Sequence, residues 1–297
     1  MGGSVKDRYC KHINRLIGTS VPITPRKAAS KRKSPDTPPA MAAKAPPVAL
    51  AKEWHGQDPS GMLMSEKLDG MRCFWDGENM FTRNGNVISA PSEMVKSLPP
   101  IALDGELFLG RGRFQECMSI VRSSSTNLQK WSQVKYMVFD APEVAAPAGD
   151  RLRTALIALD GNPWAEVLEH VICTDAEHLT RAMDSTIALG GEGIMLKHPT
   201  NHYSAGRNDN HLKVKRFHDA EAVVIGHETG KGKNAGRLGA LVCIDASGKR
   251  FKVGTGLSDA DRRNPPLTGT VITYKFQELT NAGLPRFPVF MRVRPTE

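Results

Sequence analysis

Short apolar runs separated by turns dominate the chain from residue 62 to about residue 140. Each run is three or four residues long, and glycine or asparagine occurs in the turns between runs. Runs of this kind, bounded by turn residues, are typical of β-strands. The pattern predicts mixed or antiparallel strands at Met62–Met64, Cys73–Trp75, Ile101–Leu103 and Tyr136–Phe139.

One helix has clear boundary signals in the sequence. Apolar residues recur at helical spacing between residues 179 and 187. Thr174 and Glu177 match a capping box at its start, and the two glycines at 190–191 end it. We therefore expect Glu192 to open a strand directly after a helix.

Beyond Asp219 the pattern consists of short strands. Residues 246–248 (Ala-Ser-Gly) predict a hairpin turn between two of them. About 75 residues of such strands suit a small Greek-key barrel of the OB type, which often binds nucleic acid. We predict an α+β chain in which a larger domain with antiparallel sheets (53–217) precedes an all-β OB-fold domain (218–297). The apolar runs of this second domain are Ala222–Ile225, Leu241–Ile244, Phe251–Val253 and Thr270–Phe276.

The first 52 residues differ from the rest in charge and composition. They carry 11 Lys and Arg against Asp7 and Asp36, which leaves 29 basic and 29 acidic residues for the remainder. The whole net charge of +9 therefore lies in this segment. Its Pro-, Ala-, Ser- and Lys/Arg-rich stretch buries too little apolar surface to offset chain entropy, so we predict a disordered basic arm over 1–52. Such an arm suggests a polyanionic partner, and a solubilising tail is the alternative.

Cysteine usage and hydropathy bear on location. The five cysteines are scattered and include no Cys-x-x-Cys pair, so we expect neither disulfides nor a zinc site. No apolar run approaches the ~20 residues that span a bilayer, and no secretory signal core follows Met1. We expect a cytoplasmic protein without a membrane partner. Lys31-Arg32-Lys33 leaves a nuclear or organellar address open beside a plain solvated charge run.

The first candidate for chemistry is Lys67, which precedes an Asp69-Gly70 turn and Arg72. A lysine amine attacks phosphorus or carbonyl carbon only when unprotonated, so a nucleophilic lysine needs desolvation or neighbouring cations. Lys67 is a candidate nucleophile on these grounds. A solvated hairpin lysine is the alternative when this segment is considered alone.

Carboxylates and further cations accompany that lysine elsewhere in the chain. Asp104 and Glu106 flank a glycine, and Glu192 stands between Gly191 and Gly193. Carboxylates beside a reactive lysine are what a divalent-metal phosphoryl-transfer centre requires. Lys213 and Lys215 alternate along a predicted strand, which aims both ammonium groups at one face and favours an anionic ligand.

In their order along the chain these elements resemble the motifs of the covalent nucleotidyltransferase superfamily, and within it the ATP-dependent DNA ligases. The resemblance covers about residues 50–297 and points to the minimal two-domain viral and bacterial E-type enzymes. It implies that residues 53–217 form a nucleotidyltransferase (adenylation) domain. The matching segments are Glu66–Arg72, Asp104–Glu106, Phe139-Asp140, Glu192–Lys197, Leu212–Lys215 and Pro285–Arg294.

The resemblance implies a three-step reaction. Lys67 attacks the α-phosphate of ATP and becomes lysyl-AMP, and AMP then passes to the 5′-phosphate at a nick. The 3′-hydroxyl finally displaces AMP and seals the strand. The implied cofactors are ATP and Mg²⁺ or Mn²⁺, and the implied partner is nicked double-stranded DNA. We expect a monomer.

By the same resemblance, several cations hold phosphates. Arg72 and Arg83 would contact the nucleotide or the nick phosphate, and Lys213 and Lys215 would grip the α-phosphate. Glu66, beside the nucleophile, belongs to the implied nucleotide site. Without the resemblance, Arg83 is equally well an ordinary turn arginine.

The remaining implied roles concern the sugar, the base and the metal. Glu106 would hold the ribose hydroxyls and Phe139 would stack on adenine, although a core aromatic at a strand end is the alternative. Glu192 would bind the catalytic metal through water. Asp104 and Glu106 are further metal candidates, and Asp69 would assist substrate positioning.

The last motif departs from the family pattern. The family's last motif usually ends in a lysine that helps to orient pyrophosphate, and Arg294-Pro295-Thr296-Glu297 lacks this lysine. We expect the first step to use Arg292, Arg294 or another cation instead. The enzymatic alternative is an RNA-end ligase or mRNA capping guanylyltransferase, which shares the lysyl-nucleotide chemistry. The alternative of another class is a non-catalytic DNA-binding protein that keeps the fold.

Overall fold

The computed structural model describes residues 45–280 and 282–294. The chain divides after Val214 into two compact units, one ending at Val214 and one beginning at Lys215. Most of the predicted basic arm, residues 1–44, lies outside the described residues, as do residues 295–297.

The first unit contains two five-stranded sheets. Strand β1 pairs with β10 in parallel, and β2 pairs with β9 and β8 in antiparallel fashion. The antiparallel pairing sets the end of β2 beside the start of β9, which matters for the site. Across the first sheet the order is β1 (Ala49–Glu53), β10 (Gly206–Lys215), β9 (Gly193–Lys197), β2 (Leu63–Glu66) and β8 (Val171–Ile172).

The second sheet of this unit is also mixed. Its first three pairings are antiparallel, and the last pairing, between β6 and β7, is parallel. The expected antiparallel sheets therefore acquire a parallel strand at one edge of each sheet. Across the second sheet the order is β4 (Met80–Thr82), β3 (Met71–Trp75), β5 (Leu103–Phe108), β6 (Lys135–Asp140) and β7 (Ala165–Val167).

Four helices contribute to the apolar core on one face of the second sheet. Two of them are too short to show a helical repeat in the sequence. The longest of the four helices buries Gly149 and Arg151 beside its apolar residues. The inner face of this helix is therefore not purely apolar, and no amphipathic pattern in the sequence predicts it. The helices are α1 (Ser92–Ser97), α2 (Phe114–Val121), α3 (Leu128–Trp131) and α4 (Ala148–Ala158).

The helix predicted around residues 179–187 is confirmed as α5 (Ala176–Ala188), which buries Leu179 and Met183 against the first sheet. Its start differs from the prediction by one residue. Asp175 is the N-cap and accepts a hydrogen bond from the His178 amide at 2.7 Å. Thr174 instead donates its hydroxyl to the Asp175 carboxylate, because a carboxylate is a stronger acceptor for the first-turn amide.

The boundary of the predicted arm is wrong at its C-terminal end. Val48 and Ala49 are buried, and Val48 packs with Phe74 and Ala102. Four of the five residues of strand β1, Ala49–Lys52, lie in the segment predicted to be disordered. Strand β1 is an edge strand that pairs in parallel with the distant β10, which the local composition does not indicate.

The second unit is a five-stranded antiparallel sheet. Buried residues from all five strands form its apolar core. Residues 246–248 form the predicted turn, with the Asp245 amide bonded to the Lys249 carbonyl. Across the sheet the order is β13 (Arg250–Val253), β12 (Leu238–Asp245), β11 (His218–Thr229), β14 (Val271–Phe276) and β15 (Val289–Val293). A short 3₁₀ turn (Gly232–Asn234) and helix α6 (Asp259–Arg263) connect strands of this unit.

The fold class is confirmed as α+β with a second all-β unit, but the barrel does not close by a continuous ladder. Among the described residues, the two edges of the sheet meet at a single parallel bridge between Thr255 and Val289. Strand β5 also begins only at the last residue of the predicted run Ile101–Leu103 and continues through Glu106. Acidic residues that resemble a strand end are thus inside a strand.

The structure also shows whether a described helix could span a membrane and whether the described cysteines are free. No helix among the described residues is long and apolar enough to cross a bilayer. The four cysteines in that part of the chain are buried free thiols.

Candidate active site

The central pair of the candidate site joins Lys67 and Glu192. Lys67 follows the last residue of β2, and its amide donates to the Gly193 carbonyl at 2.8 Å. Its Nζ donates to Glu192 Oε2 at 2.5 Å, and the Glu192 side chain is only 8% exposed. Two residues 125 positions apart therefore meet because β2 and β9 are antiparallel neighbours.

Two glycines near this pair allow the backbone to pack closely. A Cβ at Gly70 would lie 2.2 Å from the Leu107 carbonyl oxygen, so only glycine lets the turn after Lys67 pass along β5. A Cβ at Gly191 would lie 2.9 Å from Glu66 Oε1 and 2.5 Å from Thr186. Glycine at 191 thus permits tight packing of this turn against Glu66 and Thr186.

Arg72 is held in a fixed orientation. Its Nε and Nη2 donate to the two oxygens of Asp104, each at 2.6 Å, and Nη2 also donates to the Ala49 carbonyl at 3.0 Å. Tyr203 donates its hydroxyl to Asp104 Oδ2 at 2.8 Å. This fully buried carboxylate accepts hydrogen bonds from two side chains and anchors Arg72, and its metal role stays a prediction.

Phe139 lies beside these cations. The Arg72 guanidinium is 4.7 Å from the ring centroid and Lys197 Nζ is 5.9 Å from it. A ring in contact with cations is worth stabilisation of about 0.5–2 kcal/mol. The simple alternative, an apolar core aromatic, does not describe this half-buried side chain.

Glu106 stands opposite Arg72 in the register of β3 and β5. Burial raises the pKa of Glu106 to about 7, although the positive charges of Arg72 and Lys67 lower it. The negative charge of Glu192 adds to the increase. Glu106 is therefore close to half-protonated at neutral pH.

A buried ion network lies behind Phe139. Asp140 receives hydrogen bonds from Arg151 at 2.6 Å and from Lys197 at 2.8 Å, and all three side chains are less than 10% exposed. Although burial opposes ionisation, Lys197 and Arg151 hold the pKa of Asp140 well below its usual range. Lys197 also donates to the Phe139 carbonyl at 2.5 Å, which ties the network to the backbone of that residue.

A cavity of about 780 Å³ opens beside Arg72 and Glu106. Arg72, Arg83 and Glu106 line it, together with parts of α2 and of the turn after β4. Arg83 is exposed in that turn. The cavity is therefore lined by three arginines, Arg72, Arg83 and Arg122, and one titratable carboxyl, which suits a phosphate-bearing ligand.

Other predicted residues have partners of their own. Glu66 binds Arg111 through a bidentate pair at 2.8 and 2.7 Å. Lys213 Nζ lies 3.6 Å from Glu53 Oε1. Asp69 is half-buried in the turn between β2 and β3. These contacts leave the assigned roles of Glu66, Lys213 and Asp69 as predictions.

Three predicted residues belong to the second unit. Lys215 donates to the Gln277 side chain at 3.0 Å, and Arg294 pairs with Glu221 at 2.5 Å. Arg292 is exposed on β15. Their roles in the first step also remain predictions.

Sequence reasoning did not identify Tyr203, Arg111 or Arg151. Arg151 has no sequence signal, because an arginine on a helix is exposed by default and its burial depends on the distant Asp140. Tyr203 lies in a loop that has no apolar pattern. Lys197 ends a segment that the sequence does single out, but its spacing alone indicates no role.

A lysine directly after β2, in contact with a glutamate directly before the neighbouring β9, and a separate all-β unit form the arrangement expected of a nucleotidyltransferase. Comparisons with known proteins specify the family. The model of the ATP dependent DNA ligase domain matches residues 39–215, and that of the DNA ligase OB-like domain matches residues 229–294.

Individual relatives of the chain are also DNA ligases. The DNA ligase of Haemophilus influenzae is 37% identical over 247 residues, covering 82% of this chain and 91% of that protein. A solved structure of a Lig E DNA ligase is 38% identical with a TM-score of 0.78, covering 83% of this chain and 98% of that one. The DNA ligase of Halobacterium salinarum is 32% identical over 75% of this chain, which spans 45% of its length. The chain belongs to the ATP-dependent DNA ligase family: it is an enzyme that uses ATP to join DNA.

Proposed function

We propose that this ligase seals nicks between a 3′-hydroxyl and a 5′-phosphate in duplex DNA, with Lys67 as the nucleophile. The observation that carries the proposal is the Lys67–Glu192 pair, which adjoins Glu106 and the cations around Arg72. A lysine used only for stability would not need a glutamate on its amine, a titrating carboxyl and a fixed guanidinium within one small region.

In the first step Lys67 Nζ attacks the α-phosphorus of ATP. A P–N bond forms, the P–O bond to pyrophosphate breaks, and Glu192 Oε2 is placed to accept the lysine proton. In the second step a 5′-phosphate oxygen of the nick attacks the same phosphorus, and Lys67 leaves with a proton. In the third step the 3′-hydroxyl oxygen attacks the 5′-phosphorus and AMP leaves.

The remaining residues bind and orient the reactants. Arg72 and Arg83 face the cavity, where guanidinium groups can hold the nucleotide or nick phosphate. Glu106 accepts hydrogen bonds from the ribose when ionised, and Phe139 offers its ring to adenine. Lys213 and Lys215 supply positive charge to the α-phosphate.

The donors present fit a divalent cation such as Mg²⁺ or Mn²⁺. Among the described residues no three His, Cys, Asp or Glu side chains lie together as a metal cluster. Mg²⁺, however, is commonly held by one or two carboxylates together with substrate phosphates. Glu192 and Glu106 are near enough for the charge of one to raise the pKa of the other, and a cation would relieve that repulsion. When bound, the metal would neutralise charge on the reacting phosphate.

The partner we propose is nicked double-stranded DNA, engaged by a monomer. The exposed cations of both units and the net positive charge of the chain support a polyanionic partner. Duplex DNA binding then depends on salt, because each neutralised phosphate releases about 0.9 counterion.

The test is a comparison of wild type, Lys67→Ala and Lys96→Ala. Lys96 is an exposed lysine of the same unit on α1 and serves as the matched control. Incubation with ATP and the divalent metal should add one AMP to wild type and to Lys96→Ala, at Lys67, as read by peptide mass spectrometry. Lys67→Ala should show no adduct and no sealing of a nicked duplex. An adduct on another residue, or sealing by Lys67→Ala, would contradict the proposal.

A further inference from the structure

A hydroxyl outside the recognised motifs contacts the anchor of Arg72. Tyr203 lies in the loop between β9 and β10. Its phenol oxygen donates to Asp104 Oδ2 at 2.8 Å and accepts a hydrogen bond from the Ala49 amide at 2.9 Å. This single oxygen therefore connects the β1 backbone to the carboxylate that holds Arg72.

The same two partners also contact Arg72. Asp104 binds its Nε and Nη2, and the Ala49 carbonyl accepts from Nη2. Ala49, Tyr203, Asp104 and Arg72 thus form a closed ring of hydrogen bonds from four separate chain segments. A closed ring restricts each member more than a single pair does, because loosening one bond requires shifting two neighbours.

The ring leaves one edge of Arg72 for a ligand. Within the described part of the chain, Nη1 makes no hydrogen bond, and Arg72 lines the 780 Å³ cavity. The guanidinium plane is set over Phe139 at 4.7 Å. Its orientation therefore determines where this free edge points.

We propose that Tyr203 is a positioning residue that fixes the phosphate-binding orientation of Arg72 through Asp104. The proposal rests on the proposed function of Arg72 as a phosphate contact. Without the hydroxyl, Asp104 Oδ2 loses one of its two donors and the Ala49 amide loses its acceptor. Asp104 can then rotate, and Arg72 keeps its charge but loses its fixed orientation.

The protonation state of Tyr203 agrees with this role. Burial and the charge of Asp104 raise the pKa of Tyr203 above its ordinary value, so the phenol stays a donor at working pH. Its ring meets Arg151 at 5.7 Å, a contact that does not involve the hydroxyl. Replacement by phenylalanine therefore removes only the two hydrogen bonds.

The experiment compares Tyr203→Phe with Tyr136→Phe in the full chain. Tyr136 is a buried tyrosine of the same unit whose hydroxyl binds the carbonyls of Cys73 and Leu103 at 3.1 and 2.9 Å. Both changes delete one buried hydroxyl, but only the first touches the ring. Single-turnover sealing of a nicked duplex by pre-adenylylated enzyme should slow about tenfold in Tyr203→Phe and less than twofold in Tyr136→Phe.

A double-mutant cycle separates positioning from general destabilisation. In an Arg72→Lys background, Tyr203→Phe should slow sealing less than twofold, because the planar guanidinium it positions is absent. An equal loss in both backgrounds, or an equal loss in Tyr136→Phe, overturns the inference. Should Tyr203→Phe unfold, Asp104→Asn replaces it in the same cycle, with the same expectation.

Failure of the proposed function gives a different result. If wild type forms no lysyl adduct, the nucleophile assignment is wrong before any Tyr203 variant is compared. If wild type forms the adduct and seals, while Tyr203→Phe seals at the wild-type rate, only the positioning inference is wrong.

Discussion

The two units of this ligase differ in whether their charged side chains are buried or exposed. The first unit buries Asp104, Asp140, Arg151 and Lys197. In the second unit, Thr273 is the buried polar residue among those described, and ion pairs such as Arg294–Glu221 are about half exposed on both sides. Each unit nevertheless has an apolar core of its own.

This difference indicates where the orientation of a charged side chain matters and where only its charge matters. A buried ion pair contributes little net stability, but it fixes geometry, because an unpaired buried charge is costly. The first unit uses such pairs around Phe139 and Arg72. Exposed cations stay in contact with water, and cations of this kind suit a phosphate backbone whose charges are evenly spaced.

The largest expected difference between the units comes from removing one carboxylate in each. Asp140→Ala leaves Arg151 and Lys197 buried without their partner, so the free energy of unfolding should fall by about 3–5 kcal/mol. Glu221→Ala removes the exposed partner of Arg294 and should cost less than about 1 kcal/mol. Urea denaturation of both variants measures these values.

The two variants make the same change in charge, so each controls for the other. Equal losses would show that the buried network is not different in kind from a surface pair. An Asp140→Ala protein that is as stable as wild type would show that the cations reach solvent when released.

The second prediction concerns Glu106 and pH. Its pKa rises to about 7 in the folded protein, from an ordinary value of 4.5, so the folded state binds the proton more tightly. Stability from this group is present at low pH and is lost as pH rises from about 5 to 8. Relative to Glu106→Gln, which keeps a neutral side chain, wild type should lose at most about 3 kcal/mol over that window.

Thermal or urea unfolding of the two proteins at matched pH values measures this difference. Subtracting the Glu106→Gln curve removes the contributions of buried histidines, which change in the opposite direction. The burial of His170, for example, lowers its pKa to about 3, so it favours the folded state at higher pH. A difference that stays constant from pH 5 to 8 would contradict the raised pKa of Glu106.

Much of the fold could be predicted because its signals are local. The strands near Cys73 and Tyr136 and the helix Ala176–Ala188 have short-range patterns in the sequence. Strand β1 could not be predicted, because its stability comes from pairing with β10, more than 150 residues away. Helix α4 could not be predicted either, because a buried arginine occupies its inner face.

The candidate site shows the same limit. The sequence named Lys67 and Glu192, and the structure brings them into contact. The family resemblance implied a metal role for Asp104, and the apolar run before it resembled a strand that ends at this residue. Only the tertiary structure shows that Arg72 and Tyr203 occupy this carboxylate. A partner supplied by a distant loop leaves no trace in local spacing.

The smallest expected effect concerns the basic N-terminal segment, residues 1–44, which holds ten Lys and Arg against two acids. Deleting 1–44 should weaken binding to nicked duplex. The slope of log Kd against log salt should fall by about 0.9 for each DNA phosphate that the segment neutralises in the full-length protein. Fluorescence anisotropy at several salt concentrations measures this slope, and identical slopes before and after the deletion would assign the segment a role other than DNA binding.

A longer deletion, of residues 1–50, separates this segment from strand β1. It also removes Ala49, whose backbone binds Arg72 and Tyr203, so it should in addition slow sealing by bound enzyme. Single-turnover sealing at saturating enzyme measures that effect, because saturation removes the difference in DNA affinity between the two deletions. Identical sealing rates for the two truncated proteins would show that β1 does not support Arg72.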